Sequence, residues 1–201
     1  MDLITLYEKG NARVDLLTYA NHKEEIERML CLFEKIAGEK SWLPENELRA
    51  YPKNSVWFAL YLDNKLAGAL HLVLGNSDEG LPCMTVWPEL DLRGRDNVGN
   101  IALIAFDKKH RGYNLFWLVC VEMWRFCVRR NIVELWVEAT TTNIGIYRKL
   151  GWPLEIKGEL RKHWGEACYP CRMLVSEIEQ IALGRARNSL RYKKIIEQSQ
   201  R

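Results

Sequence analysis

Gly99-Asn-Ile-Ala-Leu-Ile-Ala-Phe-Asp107 is followed by Lys108-Lys-His-Arg-Gly-Tyr-Asn114 and then by a long apolar run from Leu115 to Arg130. Ile132-Val-Glu-Leu-Trp-Val-Glu-Ala-Thr140 and Asn143-Ile-Gly-Ile-Tyr-Arg-Lys-Leu-Gly-Trp152 complete the middle of the chain. The order reads strand, basic turn, helix, strand, short helix. A continuous apolar strand such as 99–107 is buried on both faces. Leu118, Val121, Met123, Trp124, Cys127 and Val128 give the helix its buried side, and Arg125, Arg129 and Arg130 are expected to face outward. The first helix begins where an anion is favoured, because its leading N–H groups are unpaired and the dipole is positive there. Lys108, Lys109, His110 and Arg111 add charge, and Gly112 lets the backbone approach a ligand closely.

The chain has 201 residues, 48% hydrophobic and 27% charged, with a net charge of +3. That composition fits a globular domain, and the charge is too slight to argue for nucleic acid. No apolar run is long enough to span a bilayer, and Met1-Asp-Leu-Ile-Thr-Leu-Tyr-Glu lacks the pattern of a signal peptide. The expected location is cytoplasmic, with no membrane span. Among six cysteines, Cys168-Tyr-Pro-Cys171 is the only C-x-x-C. It has no second pair to complete a zinc site, and it opens a strand-like run, so it reads as two thiols on a strand with no metal.

Lys109-His-Arg-Gly112-Tyr-Asn114 resembles the acyl-donor loop of the GCN5-related N-acetyltransferases, Gln/Arg-x-x-Gly-x-Gly/Ala. Tyr147-Arg-Lys-Leu-Gly-Trp152 resembles their Tyr-x-x-x-Gly-Phe segment. Lys109 and Asn114 depart from the loop pattern. The resemblance covers roughly residues 12 to 176. It implies an α/β (α+β) fold: a central mixed, twisted sheet of about seven strands flanked by helices. The expected organisation is one acyltransferase domain over 1–176, followed by a basic C-terminal helix over 177–201.

The same resemblance implies an N-acyltransferase that uses acetyl-CoA or another acyl-CoA, or the same phosphopantetheine arm on an acyl carrier protein. The backbone of Ile104, Ala105 and Phe106 would clasp the arm. The N–H groups from Lys109 through His110, Arg111, Gly112 and Tyr113 to Asn114 would hold the pyrophosphate, with Asn143 also on the donor side. Tyr147 would act as general acid at the sulfur; a phenol is protonated at neutral pH. Glu138, near the carboxyl end of its strand, is the leading candidate base, with Glu89 and Asp91 as alternatives. No Ser-His-Asp or Cys-His arrangement stands out, so direct attack by an amine is the simpler chemistry.

Residues 75–98 form an unusually long connection, and such connections often carry function. Its Trp87-Pro-Glu-Leu90 resembles the stretch before the fourth strand of acyl-homoserine-lactone and N-acyl amino acid synthases, which take long acyl chains from acyl carrier protein. The short step from Asn143 to Tyr147, and Gly151-Trp-Pro, resemble the same branch. A long-chain amide synthase is therefore one alternative, and a non-catalytic acyl-CoA-binding or regulatory module is another. The acceptor amine, a small molecule, is not identified by the sequence.

Toward the N-terminus, residues 12–20 read as a strand, Asn21 as the cap of a helix over 22–37, and Gly38 as its stop. Residues 56–63 and 66–74 read as a hairpin, with His71 half-exposed on its second strand. Trp42, Tyr51 and Trp57 are candidate pocket walls. Residues 154–162 and 168–175 read as the last strands, with His163-Trp-Gly-Glu166 as their turn. The later of these strands offers an edge that a second copy could pair with.

Overall fold

Nine strands join in one mixed sheet, against about seven expected. In chain order they are β1 (Ile4–Lys9), β2 (Ala12–Leu17), β3 (Ser55–Leu62), β4 (Lys65–Leu74), β5 (Val98–Phe106), β6 (Glu134–Thr140), β7 (Glu155–Ile156), β8 (Arg161–His163) and β9 (Glu166–Leu174). The helices are α1 (Lys23–Glu39), α2 (Tyr113–Arg129) and α3 (Thr141–Leu150). This computed structural model describes residues 4–41, 53–75, 80–110 and 113–178. Trp42 and Tyr51, Arg111 and Gly112, and the basic segment from residue 179 onward lie outside that set. Residues 175–178 form one helical turn after β9.

The spatial order is β1-β2-β3-β4-β5-β6-β9-β7, with β8 also paired to β9. Every neighbouring pair is antiparallel except β5 and β6. That parallel pair needs a crossover, and α2 supplies it, as the βαβ reading requires. Strand β9 is an interior strand, bonded to β6 on one side and to β7 and β8 on the other. The edge expected over 168–175 is covered as far as Arg172, because the residues read as one strand before it fold into two short ones that pair there.

The two faces of the sheet carry separate cores. Trp57, Ala59, Ala69, Leu103 and Ala105 pack under α1, whose buried stripe is Ile26, Met29, Leu30, Phe33, Ile36 and Ala37. Phe58, Leu60, Leu70, Leu72, Ile101, Leu135 and Val137 pack with α2 residues such as Trp117, Val121 and Met123. Helix α1 is capped differently from the sequence reading. His22, not Asn21, holds the cap position without a side-chain cap bond, and the helix passes Gly38 to end at Glu39. Asn21 instead donates to the Thr18 hydroxyl at 3.2 Å. On α2, Arg125 does not face outward as expected. It turns back to bond the buried Glu122 carboxylate at 2.6 Å, since a carboxylate desolvated at that position needs a partner.

The long connection forms a third cluster. Leu81, Cys83, Trp87 and Leu92 pack against Val73, Val98, Trp136 and Cys168. Asn100, fully buried on β5, ties it down: its side-chain oxygen accepts from the Cys83 N–H at 2.8 Å, and its amide donates to the Trp136 carbonyl at 3.3 Å. Replacing Asn100 by Ala would leave both groups unpaired in the interior. Urea unfolding should show a loss of about 1–3 kcal/mol with an unchanged slope.

Candidate functional site

The cleft begins where β5 and β6 part. Their ladder runs only from Val98↔Glu134 to Ile101↔Val137. Beyond it β5 stays with β4, reaching Gly68↔Phe106, while β6 stays with β9 to Thr140↔Cys168. A bulge marks the parting: Leu72 faces Ile101 and His71 faces Leu103, which leaves Ala102 without an opposite residue on β4. An extra residue bends its strand and re-aims the side chains after it. Between the diverging strands lies a cavity of about 110 Å³.

Its lining comes from both strands and from five neighbours, among them β4 with His71 and Val73 and the long connection with Pro82. Ile101, Ala102, Leu103 and Ile104 come from β5, and Val137, Glu138 and Thr140 from β6. Helix α3 adds Asn143 and Tyr147, α1 adds Phe33, and the β8–β9 hairpin adds His163, Trp164, Glu166 and Cys168. Thr140 doubles as the cap of α3, accepting from the Asn143 N–H at 3.2 Å. That bond fixes the first turn of α3 against the open end of β6.

Tyr147 is held by aromatic stacking. Its ring lies 4.8 Å from Trp152 at 13° and 6.4 Å from Phe116 at 17°. Gly151 makes the contact with Trp152 available: it takes φ 86°, and the chain turns so that the Trp152 N–H reaches the Tyr147 carbonyl at 2.9 Å. Burial raises the phenol above its usual range, with the Cys120, Cys171 and Cys168 thiols adding to the effect. Tyr147 is thus protonated throughout the neutral range.

Glu138 has a partner that the sequence reading missed: its carboxylate meets His163 Nδ1 directly. Both side chains are mostly buried, 16% and 11% exposed, yet both line the cleft. The other candidate carboxylates lie elsewhere. Glu89 is paired with Arg161 at 2.8 Å, and Asp91 sits in a left-handed turn after Leu90; neither lines this cleft.

His71 departs most from expectation. It is 3% exposed, not half-exposed, because α1 and the hairpin cover that face of β4. Its ring stacks on Trp57 at 4.0 Å and 9°. Trp57 therefore backs the cleft through His71 instead of walling it. Burial lowers the imidazole to about 3. Phe33 and Trp164 meet edge-on at 5.7 Å as the opposite wall.

The donor loop is partly visible. Ile104 lines the cleft, whereas Ala105 turns under α1 and Phe106 lies over Gly68, leaving room for no side chain there. The Lys109 N–H is donated to the Asp107 carboxylate at 2.9 Å and the His110 N–H to the Asp107 carbonyl at 2.9 Å. These two N–H groups, expected to face a pyrophosphate, are already paired, because Asp107 caps the 3₁₀ turn Lys108–His110. The bond from Lys109 is the largest cause holding the Asp107 carboxyl below its usual range.

Cys168 and Cys171 lie three apart on β9 and so fall on opposite faces, in different core clusters. Burial pushes their thiols up to about 12 and about 11. Among the described residues, no group of His, Cys, Asp and Glu is arranged to hold a metal ion. Nor is any helix of the described residues long and apolar enough to cross a membrane.

No protein-family model matches the chain, and no curated protein matches it in sequence. Solved structures do match it in three dimensions. FeeM, an N-acyl amino acid synthase from uncultured soil microbes, superposes with a TM-score of 0.67 at 14% identity, over 83% of this chain and 92% of that one. The CoA-dependent acyl-homoserine lactone synthase MesI gives 0.65 at 18% identity, over 84% and 92%. BjaI, another CoA-dependent acyl-homoserine lactone synthase, solved with SAM and isopentyl-CoA, gives 0.65 at 12%, over 80% and 82%. The chain has the fold that these synthases share.

The buried His71 makes stability depend on pH. Unfolded, its imidazole gains a proton below about 6.5; folded, it does so only near 3. The unfolded state therefore binds more protons between these values, and stability falls as pH falls through that window. Between pH 7 and pH 5 the wild type should lose about 2 kcal/mol more than His71→Phe, measured by urea unfolding at both pH values.

Proposed function

We propose that this protein is an N-acyltransferase that moves an acyl group from a phosphopantetheine thioester to an amine by direct attack. The observation that carries the reading is the four-residue limit of the β5–β6 ladder. The strands part there, and the cleft between them is lined by a mostly buried carboxylate–imidazole pair and the phenol of the half-buried Tyr147. The fold shared with N-acyl amino acid and acyl-homoserine lactone synthases supports it.

In this reading the arm enters between β5 and β6, with backbone groups of 104–106 that β6 no longer covers available to it. The phosphates sit at the start of α2, on N–H groups from Arg111 to Asn114, with Lys109 and His110 near by and Asn143 on the facing helix. The acceptor nitrogen attacks the thioester carbon, forming C–N as C–S breaks. Its proton passes to the Glu138–His163 pair. A lone carboxylate is a weak base for an ammonium, and the adjoining imidazole both orients Glu138 and shares the proton. The sulfur departs as thiolate and takes up, through water, the proton that the Glu138–His163 pair received from the nitrogen, leaving as free thiol. Burial makes the Tyr147 phenol a weaker acid than that thiol, whose kind has a pKa of about 8.5. Tyr147 therefore contributes a hydrogen bond to the sulfur and not complete proton transfer.

The long 75–98 connection and the likeness to FeeM favour a second reading within the same chemistry: a synthase of long-chain N-acyl amino acids or of a related signalling amide. Its donor would be an acyl carrier protein, and the arginines and lysines between Arg185 and Arg201 supply charge to match an acidic partner.

Native mass spectrometry with CoA, acetyl-CoA, a long-chain acyl-CoA and a long-acyl carrier protein tests the donor. Retention of a CoA species supports the first reading, and preference for the carrier protein supports the second. Binding of none would point to a non-catalytic module. In the thioester assay, Glu138→Gln and His163→Ala should each lower kcat by roughly 10²–10⁴-fold, with acyl-donor affinity unchanged. Tyr147→Phe keeps the stack on Trp152 and should lower kcat by roughly 10-fold, the worth of one hydrogen bond.

A further inference from the structure

His71 lines the cleft and is a polar group that the reaction above does not use. Its Nε2 is buried and has no hydrogen-bond partner among the described residues. An unpaired buried nitrogen is costly, whereas a phenylalanine of nearly the same shape would satisfy the stack on Trp57 without that cost. The ring is also firmly oriented. Stacking at 9° on Trp57 fixes its plane, and the β3–β4 and β4–β5 pairings, Trp57↔His71 and His71↔Leu103, fix its place beside the parting strands. It lies on the α1 face of the sheet, with Phe33, Trp164 and the Glu138–His163 pair around the same cavity.

We propose that His71 reads the acceptor: its imidazole hydrogen-bonds an uncharged hydroxyl group carried by the amine. A hydroxyl both donates and accepts, so it pairs with either tautomer of a neutral ring. A carboxylate does not fit so well, because a ring sealed on this floor resists the positive charge that would balance it. The acceptor class is therefore an amine bearing a hydroxyl, such as an amino alcohol or an amino sugar. The inference rests on the transferase reading and adds a determinant of acceptor choice.

The test uses matched primary amines with and without a hydroxyl, with acyl-CoA as donor and thiol release as the signal. The wild type should favour the hydroxyl-bearing member. His71→Phe should lose that preference, with kcat/KM for the hydroxyl-bearing amine falling roughly 5–150-fold. Acyl-CoA affinity and the pH profile of kcat should not move, and melting temperature at pH 7 should hold or rise. His71→Gln, which keeps a hydrogen-bonding edge, should restore part of the preference. An unchanged preference in His71→Phe overturns the proposal, and so does an effect on acyl-CoA affinity in place of acceptor choice. A wild type that binds acyl-CoA but acylates no amine defeats the transferase reading, and the ¹⁵N signals of the His71 ring then decide this one. Movement on adding amino alcohols to the CoA complex supports it; signals unmoved overturn it.

Discussion

Everything functional in this chain depends on a hydrogen-bond ladder that stops early. Strands β5 and β6 are joined over four residue pairs and then separate. A parallel pair that stayed together would give a closed sheet with no cleft. Separation is tolerated because each strand keeps a complete antiparallel partner on its other side, so only one row of backbone groups is left open. The Ala102 bulge sets where that row begins, and Asn100 pins the rung before the last by bridging β5, the Trp136 carbonyl and the insert. An open row of amides and carbonyls in a partly dry groove is suited to an extended arm that itself carries amides.

The elements around the cleft then divide the labour. Helix α3, capped by Thr140, brings Asn143 and Tyr147 to the α2 side of the gap. Helix α1 and the β8–β9 hairpin enclose the opposite side with Phe33, Trp164 and His163. The aromatic stack behind Tyr147 and the stack behind His71 serve one physical purpose: each holds a polar ring in a low-dielectric setting where a single hydrogen bond counts for more than in water.

Much of this was legible in the sequence. The βαβα order over 99–152, the helix read over 115–130 and found over 113–129, and Tyr147 on a short helix all follow from apolar periodicity and punctuation by glycine. Glu138 near the carboxyl end of its strand was readable as well, although the cleft beside that strand was given by the resemblance and not by periodicity. What could not be read is what depends on strand order. His163 looked like a turn residue because nothing local says that β9 lies beside β6; only that pairing sets the start of the hairpin against Glu138. His71 looked half-exposed because alternation along β4 cannot report that α1 and the hairpin cover its face. The capping of the donor loop by Asp107 was equally hidden, since an aspartate immediately before a turn serves as readily as a surface charge.

The insert reaches the hairpin through three contacts. Trp87 donates its indole N–H to the Glu159 carbonyl at 2.8 Å, Arg161 donates to the Val86 carbonyl at 2.6 Å, and Arg161 pairs with Glu89. Arg161 is only two residues from His163, so the long connection acts as a splint for the arm that carries the imidazole. The two segments are some seventy residues apart in the chain, yet they form one mechanical part. A graft that moved the hairpin into another acyltransferase scaffold without residues 80–92 would carry the histidine but not its bearing.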